Sequence, residues 1–250
     1  MPASFQIFDQ TQIASLKRAG EILRGCLLHT ARYVKPGIST KELDTIAEAY
    51  IRGFPGATPA FKGYHGYTAT LCTSVNDACV HGIPGDLVLS EGDIVSLDCG
   101  VIVDGLYTDA CITVPVGKIP SATQKFLDTS AAALEEACAM IKPGIHIGDI
   151  SSTIQTFVEA HGYKCIRALT GHGLGTTLHQ FPDIPNVGEP GSGPKIPAWT
   201  VLAIEPITAI GTDRIREGDD GWTICTQDGS LACHFEHTVL VTDTGCEILA

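Results

Sequence analysis

The feature that most constrains the fold of this chain is an internal repeat at an offset of 107 residues. Residues 34–38 (VKPGI) match residues 141–145 (IKPGI), and each copy lies between two helix-like stretches. The same offset aligns the apolar run 94–98 (IVSLD) with the run 201–205 (VLAIE), and a carboxylate ends both runs. The segments between the helices, the apolar positions and the carboxylates all share one offset, so a duplication is favoured over chance similarity. The repeat therefore predicts two pseudo-twofold halves.

The repeat also predicts the domain organisation. Neither a Ser/Gly-rich linker nor a block of like charges separates the halves, so we expect one domain over residues 1–250. Its two repeats would cover roughly residues 13–115 and 120–245. The carboxylates that end the matching runs, Asp98 and Glu205, would then converge on the pseudo-twofold axis.

Composition excludes several functional classes. With 16 basic and 28 acidic residues the net charge is −12, so the surface repels phosphate backbones and we expect no nucleic-acid partner. No apolar run reaches the ~18 residues that a membrane-spanning helix needs, so we expect no membrane association. Residues 1–4 lack the pattern of a secretory leader. The ten cysteines lie singly, which favours buried, reduced thiols and a cytoplasmic location.

Helical periodicity is clearest near the N-terminus. Apolar residues recur at helical spacing over residues 11–33, with Asp9 or Thr11 as the expected N-cap. A second helix is predicted over residues 40–51, because Ser39 is followed three residues later by an acidic residue that can complete a capping box.

Two aspartates lie on a predicted β-hairpin. The dipeptide Asp104-Gly105 separates the apolar runs 94–103 and 106–114, which is typical of a two-residue hairpin turn. If the residues that flank the turn pair, Asp98 and Asp109 share one face as diagonal neighbours, ~7–8 Å apart. A solvated face would tolerate them, but their neighbours are apolar. Two carboxylates on an apolar face need a cation between them, and a pair of divalent metal ions fits this spacing.

The second half offers matching ligands. Glu205 and Glu236 both lie in apolar strand-like runs, where glutamates are rare unless they are paired or bind a ligand. His172 lies in the glycine-rich segment 171–175, although a loop histidine is by itself a weak signal. Four clustered carboxylates carry four negative charges, so two divalent ions would neutralise them. Carboxylates with one imidazole suit Mn²⁺, Fe²⁺, Co²⁺ or Zn²⁺.

Taken together, the motifs resemble those of the methionine aminopeptidases, in their short bacterial form, over nearly the whole chain. Each motif is weak alone, but the set in this order is specific. The motifs are VKPG (34–37), GYHGY (63–67), VHGIP (80–84), GHGLG (171–175), IEP (204–206), DGWT (220–223) and EHT (236–238). The resemblance implies the pita-bread fold of the α/β (α+β) class. In this fold two pseudo-twofold halves surround a curved antiparallel sheet, with helices outside, and form one catalytic metallopeptidase domain.

The resemblance also assigns roles to residues. It implies two divalent metal ions and a set of five ligands, which are Asp98, Asp109, His172, Glu205 and Glu236. It implies catalytic roles for His81, His179 and Glu205. The substrate would be bound by Tyr64, Tyr67, Cys72, His81, His179 and Trp222, of which all but His179 would surround the methionine side chain.

The implied reaction is hydrolysis of the first peptide bond by a water that the metal ions activate, with Glu205 accepting the water proton. His179 would donate to the developing oxyanion, and His81 would bond the scissile nitrogen. The substrates would be nascent chains and peptides that begin with methionine and have a small second residue. We expect a cytoplasmic monomer.

Some positions depart from the residues expected of the bacterial family members. Phe61 replaces a small residue, Leu178 an aromatic one and Gln180 an acidic one, and Leu169 and Thr170 also differ. These positions are expected to line the pocket rim and to alter side-chain and inhibitor selectivity.

Two alternative functions remain. The first is an X-Pro aminopeptidase or dipeptidase on the same fold. Such enzymes commonly carry an extra N-terminal domain, whereas here the first helix begins by residue 11. The second is a non-catalytic binding protein, which would be expected to lose ligands, although all five are present.

Overall fold

A computed structural model describes residues 4–250 of the chain. The first three residues, on which the argument against a secretory leader partly depends, lie outside the described part. The described chain combines four long helices with short and long antiparallel strands, which confirms the predicted mixed class.

The helices are α1 (Gln10–Ala31), α2 (Thr40–Arg52), α3 (Ser121–Ala139) and α4 (Ile147–Ala160), and a short 3₁₀ turn covers Tyr64–Gly66. The strands of the first half are β1 (Ala57–Pro59), β2 (Leu71–Val75), β3 (Ala78–Val80), β4 (Ile94–Val103) and β5 (Leu106–Pro115). Those of the second half are β6 (Lys164–Cys165), β7 (Thr170–Gly173), β8 (Gln180–Pro185), β9 (Val201–Ile204), β10 (Ile207–Ala209), β11 (Ile215–Glu217), β12 (Ile224–Thr226), β13 (Ala232–His234), β14 (His237–Val241) and β15 (Cys246–Ile248).

The first two helices begin where the sequence predicts. Asp9 caps α1, and its carboxylate accepts a hydrogen bond from the backbone N–H of Gln12. Ser39 caps α2, and the Glu42 carboxylate accepts from the Ser39 backbone N–H at 2.8 Å, which completes the predicted capping box. The apolar face of α1 packs against β4 and β5, so this helix covers the outside of the first sheet.

Matching elements of the two halves keep the offset of the sequence repeat. Helices α2 and α4 begin at residues 40 and 147, and strands β4 and β9 begin at residues 94 and 201. In each half a pair of helices precedes the strand that leads to a carboxylate. The division of one domain into repeats over 13–115 and 120–245 stays a prediction.

Two antiparallel sheets carry the carboxylates. In the first sheet β4 pairs with β1, β2 and β5, and the second has the order β15-β14-β9-β7-β8. The β4–β5 hairpin has the predicted register, with Val103 opposite Leu106 and Asp98 opposite Cys111. Its turn residues, Asp104 and Gly105, both have positive φ, the backbone conformation that a two-residue hairpin turn of this type needs.

The strands join at the centre of the molecule. Cys111 in β5 forms an antiparallel bridge to Glu236, with two backbone hydrogen bonds between them. Thr238 in β14 binds the backbone of Asp109 through both its hydroxyl donor and its oxygen acceptor. These bonds fix the first sheet against the second at the place where the acidic residues lie.

The state of the cysteines agrees with the prediction from composition. The ten cysteines are unpaired, and all except Cys246 are buried, as the sequence predicts. Within residues 4–250, no helix is both long enough and apolar enough to cross a membrane.

Candidate active site

Five residues, in or directly beside separate strands, converge in the interior of the molecule. Asp98 lies in β4, Asp109 in β5 and His172 in β7, whereas Glu205 follows β9 and Glu236 precedes β14. All five are buried, with exposed fractions between 3% for Glu236 and 8% for Glu205. Since Gly100 is opposite Asp109, the two aspartates occupy diagonal positions on one face of the hairpin, as predicted.

The distances within this group suit metal coordination. Ligand atoms of Asp109, His172 and Glu236 all lie within 4.8 Å of one another. The Nε2 atom of His172 is 3.5 Å from Oε1 of Glu205, which adds a fourth donor on the same side. One carboxylate oxygen of Asp98 and one of Asp109 have no hydrogen-bond partner although they are buried. Oxygens in this state are ready to accept a cation.

Burial and mutual repulsion raise the pKa values of these acids. Burial raises the pKa of Asp98 to about 7. Burial, followed by repulsion from neighbouring carboxylates, raises the pKa values of Asp109, Glu205 and Glu236 well above their ordinary ranges. No lysine or arginine in residues 4–250 lines the cavity beside them. The acids therefore lack a protein cation, and divalent ions fit this donor set.

The tautomer of His172 leaves its Nε2 atom available to bind a metal ion. Its Nδ1 atom lies 3.0 Å from the backbone carbonyl of Gly173, which accepts only if Nδ1 carries the proton. Burial lowers the pKa of His172 to about 3, so the imidazole is neutral. Nε2, which lies 3.5 Å from Oε1 of Glu205, then carries a free lone pair, as in a metal-binding histidine whose other nitrogen is held by the backbone.

The five residues line one end of a cavity of about 410 Å³. The other end is apolar and aromatic. It is lined by Phe61, Tyr64, Tyr67, Cys72, Leu178 and Trp222. The ring of Tyr67 meets that of Trp222 edge-on at 5.0 Å, and the Tyr67 hydroxyl donates to the backbone carbonyl of Leu71 or Gly82. The walls of this end are therefore held by packing and hydrogen bonds.

Two further histidines, His81 and His179, line the same cavity. The ring of His179 lies 4.3 Å from that of His172, and its Nδ1 atom is 3.1 Å from the hydroxyl of Tyr64. His81 also lines the cavity, in a left-handed backbone conformation with φ of 60°. Both side chains are exposed and can reach a ligand in the cavity.

The structure thus brings every predicted site residue to the lining of a single cavity. The roles assigned to these residues stay predictions. Sequence reasoning missed His234, whose buried ring lies beside Glu205 and Glu236. Its position two residues before Glu236 was the available signal, because residues i and i+2 of an extended segment point to one side.

One prediction about the pocket rim is wrong for three residues. Phe61 and Leu178 line the cavity, but Gln180, Leu169 and Thr170 do not. The side-chain amide of Gln180 donates to Gln6 and to the backbone carbonyl of Leu174, so it turns away from the cavity. Leu169 packs in a separate apolar cluster with Cys79 and Val80, and Thr170 is paired within β7 and β8.

Comparison with known proteins decides the family. The model of metallopeptidase family M24 matches residues 14–243. The chain belongs to metallopeptidase family M24. Among the members of this family, a methionine aminopeptidase of Clostridium perfringens is 43% identical over 96% of both chains. Methionine aminopeptidase 1 of Bacillus subtilis is 42% identical over 95% of this chain and 96% of its own.

Solved structures agree with this placement among the M24 peptidases. The crystal structure of methionine aminopeptidase from Thermotoga maritima has a TM-score of 0.97 at 41% identity and covers 98% of this chain and 99% of its own. Prolidase from Pyrococcus furiosus has a TM-score of 0.80 at 21% identity and covers 97% of this chain and 64% of its own, so it shows the shared fold alone. The pita-bread fold and a metal-dependent peptidase of the methionine aminopeptidase group are thereby confirmed.

Proposed function

We propose that this chain removes the N-terminal methionine from peptides and newly made proteins whose second residue is small. The observation that carries the proposal is a buried group of four carboxylates and one imidazole at the end of an aromatic cavity. Relatives named methionine aminopeptidase, 40–43% identical over nearly the whole chain, support the same reaction.

The metal site would use the five buried ligands. Asp98, Asp109, His172, Glu205 and Glu236 would hold two divalent ions, drawn from Mn²⁺, Fe²⁺, Co²⁺ and Zn²⁺. Two ions balance the four negative charges that the ionised carboxylates carry, which a single ion would leave half neutralised. When bound, divalent ions lower the pKa of water and supply a nucleophile at neutral pH.

Glu205 would move the proton of the attacking water. Its carboxylate lines the cavity, and Oε1 lies 3.5 Å from Nε2 of His172. Burial raises its pKa well above that of an ordinary glutamate. A carboxylate beside the attacking water can accept the water proton and pass it on.

The two exposed histidines would bind the reacting peptide group. If the Tyr64 hydroxyl donates to Nδ1 of His179, the proton of that ring lies on Nε2 and can be donated into the cavity. His179 would then stabilise the oxyanion that develops on the scissile carbonyl. His81, also in the cavity wall, would bond the scissile nitrogen or the amine that leaves.

The aromatic end would select the first side chain. Tyr64, Tyr67, Cys72 and Trp222 offer the apolar, partly aromatic surface that a flexible thioether packs against. With the side chain held there, the free α-amine would lie beside the carboxylates and limit cleavage to the first peptide bond. The second residue would pass the cavity wall, so only a small side chain would fit.

The proposal also covers the domain organisation, the oligomeric state and the cellular location of the protein. The chain would act as a single catalytic domain and as a monomer in the cytoplasm, on peptides and nascent chains. Buried, reduced cysteines support a reducing compartment.

A peptide panel tests the proposed specificity. The metal-loaded protein should release methionine from Met-Ala-Ser, should leave Met-Lys-Ser uncut and should cut Leu-Ala-Ser poorly. Trp222→Ala should raise KM for Met-Ala-Ser, whereas the exposed Asp243→Asn change should leave kcat and KM unaltered. Faster cleavage of an Ala-Pro peptide than of Met-Ala-Ser would instead indicate an X-Pro peptidase.

A further inference from the structure

The buried histidine that precedes Glu236 has no partner. The residue is His234 at the end of β13, with an exposed fraction of 2%. Neither of its ring nitrogens has a hydrogen-bond partner among residues 4–250, although both are buried. A polar ring in this state needs a ligand or a bound molecule to compensate for the water that it has lost.

The backbone fixes the position of this ring. The Thr113 hydroxyl lies 2.7 Å from the carbonyl oxygen of His234 and 3.1 Å from its backbone nitrogen. Strand β13 pairs with β10, in which Ile207 is opposite His234. The imidazole is therefore held against the cavity by an ordered strand and does not belong to a mobile loop.

The distances from the ring suit shared coordination better than a hydrogen bond. Nε2 of His234 lies 3.6 Å from Oε2 of Glu205 and 3.7 Å from Oε2 of Glu236. Direct hydrogen bonds between nitrogen and oxygen are shorter, at ~2.7–3.2 Å. Two donors that each lie about 2.1 Å from one ion are separated by up to ~4.2 Å, so each of the two observed distances fits a pair of ligands to one ion.

We propose that Nε2 of His234 is a direct metal ligand beside Glu205 and Glu236, in addition to the five carboxylate and imidazole ligands. The inference rests on the metal site of the proposed function, but it does not depend on the identity of the peptide substrate.

A second imidazole changes the preference of the site among metal ions. Carboxylate oxygens suit hard ions such as Mn²⁺, whereas imidazole nitrogen binds borderline ions such as Co²⁺ and Zn²⁺ more strongly. With both His172 and His234 as ligands, the site should favour Co²⁺ over Mn²⁺ more than a site with one imidazole would.

The test compares the chain with His234→Gln, which removes the imidazole but keeps a polar side chain of similar reach. His161→Gln is the control, since this histidine is exposed at the end of α4. Each protein is stripped with chelator, checked for unchanged circular dichroism, and titrated separately with Co²⁺ and Mn²⁺. Electron spin-echo modulation of the Mn²⁺-loaded proteins then counts the histidine nitrogens bound to the ions.

The unsubstituted chain and His161→Gln should show two bound imidazole nitrogens, and His234→Gln should show one. His234→Gln should also weaken Co²⁺ binding at least ~10-fold and Mn²⁺ binding by a smaller factor. Equal nitrogen counts and equal Co²⁺ affinities in all three proteins would overturn the inference and leave the five-ligand site intact. Failure of the unsubstituted chain to bind either ion would overturn the metal site itself.

Discussion

Removing one carboxylate from the acidic cluster should raise the free energy of unfolding of the metal-free protein and lower that of the metal-loaded protein. Asp98 is the most informative position, since burial raises its pKa from 3.8 to about 7. The folded protein then holds the Asp98 proton more tightly than the unfolded chain does. The stability that this gives is complete below about pH 3.8 and is lost as the pH rises through 7.

The magnitude follows from the size of this shift. One pKa unit corresponds to about 1.4 kcal/mol, so a rise of three units costs the folded protein on the order of 4 kcal/mol once Asp98 is ionised. Asparagine has a similar shape and carries no charge. In chelator, Asp98→Asn should therefore unfold with a free energy several kcal/mol larger than that of the unsubstituted chain at pH 8. Near pH 4 the two proteins should be similar.

Urea unfolding in chelator at pH 4, 5, 6, 7 and 8 measures this difference. Asp243→Asn, an exposed substitution in the turn before β15, should change the free energy of unfolding by less than ~0.5 kcal/mol at each pH. With Mn²⁺ in place of chelator the effect should reverse, because Asp98→Asn lacks a ligand. An Asp98→Asn protein that is no more stable than the unsubstituted chain in chelator at pH 8 would refute the reasoning.

Three further predictions concern the histidines, the pocket and proton linkage. His81→Ala and His179→Ala should keep both ions, but their kcat should fall about 100- to 1,000-fold. His172→Ala should instead bind metal more weakly. Equilibrium dialysis and peptide kinetics on the three proteins test this difference. Phe61→Ala should widen the aromatic end of the cavity. The kcat/KM for Met-Ala-Ser, divided by the kcat/KM for Leu-Ala-Ser, should therefore fall. Metal affinity should rise from pH 6 to pH 8, since the pKa values of the ligand carboxylates are raised and binding releases their protons; titration calorimetry in buffers of different ionisation enthalpy measures that release.

Local rules in the sequence predicted much of the fold. The register of the β4–β5 hairpin follows from its two-residue Asp104-Gly105 turn, which determines which residues face each other. The capping boxes at Asp9 and Ser39 mark the starts of α1 and α2 for a similar reason, because each uses groups only three residues apart. Interactions between residues this close in the chain can be predicted from the local sequence.

Contacts between distant strands could not be predicted from local pattern. His172 approaches Glu205 because β7 pairs with β9, with His172 opposite Ala203. That pairing depends on the whole second sheet. The expectation for Gln180 failed because its side-chain amide donates to Gln6, 174 residues away in the sequence, and to the backbone carbonyl of Leu174.

His234 was missed because only the apolar run that carries Glu236 was considered, and the i, i+2 spacing of the two residues was not used. In the structure β13 ends at His234 and β14 begins at His237, so the two residues lie on either side of a strand break. Asp98 and Asp109, by contrast, lie within uninterrupted strands. Regular alternation is what made their common direction predictable.

Restoring ions to the metal-stripped protein tests the central claim most directly. The measurement is the initial rate of methionine release from Met-Ala-Ser by chelator-treated protein, before and after Mn²⁺, Fe²⁺, Co²⁺ or Zn²⁺ is added separately. The proposed metal-dependent mechanism predicts no turnover in chelator, and recovery with at least one ion in the unsubstituted chain but not in Glu236→Ala. Full activity of the metal-free protein, or equal recovery in Glu236→Ala, would contradict it.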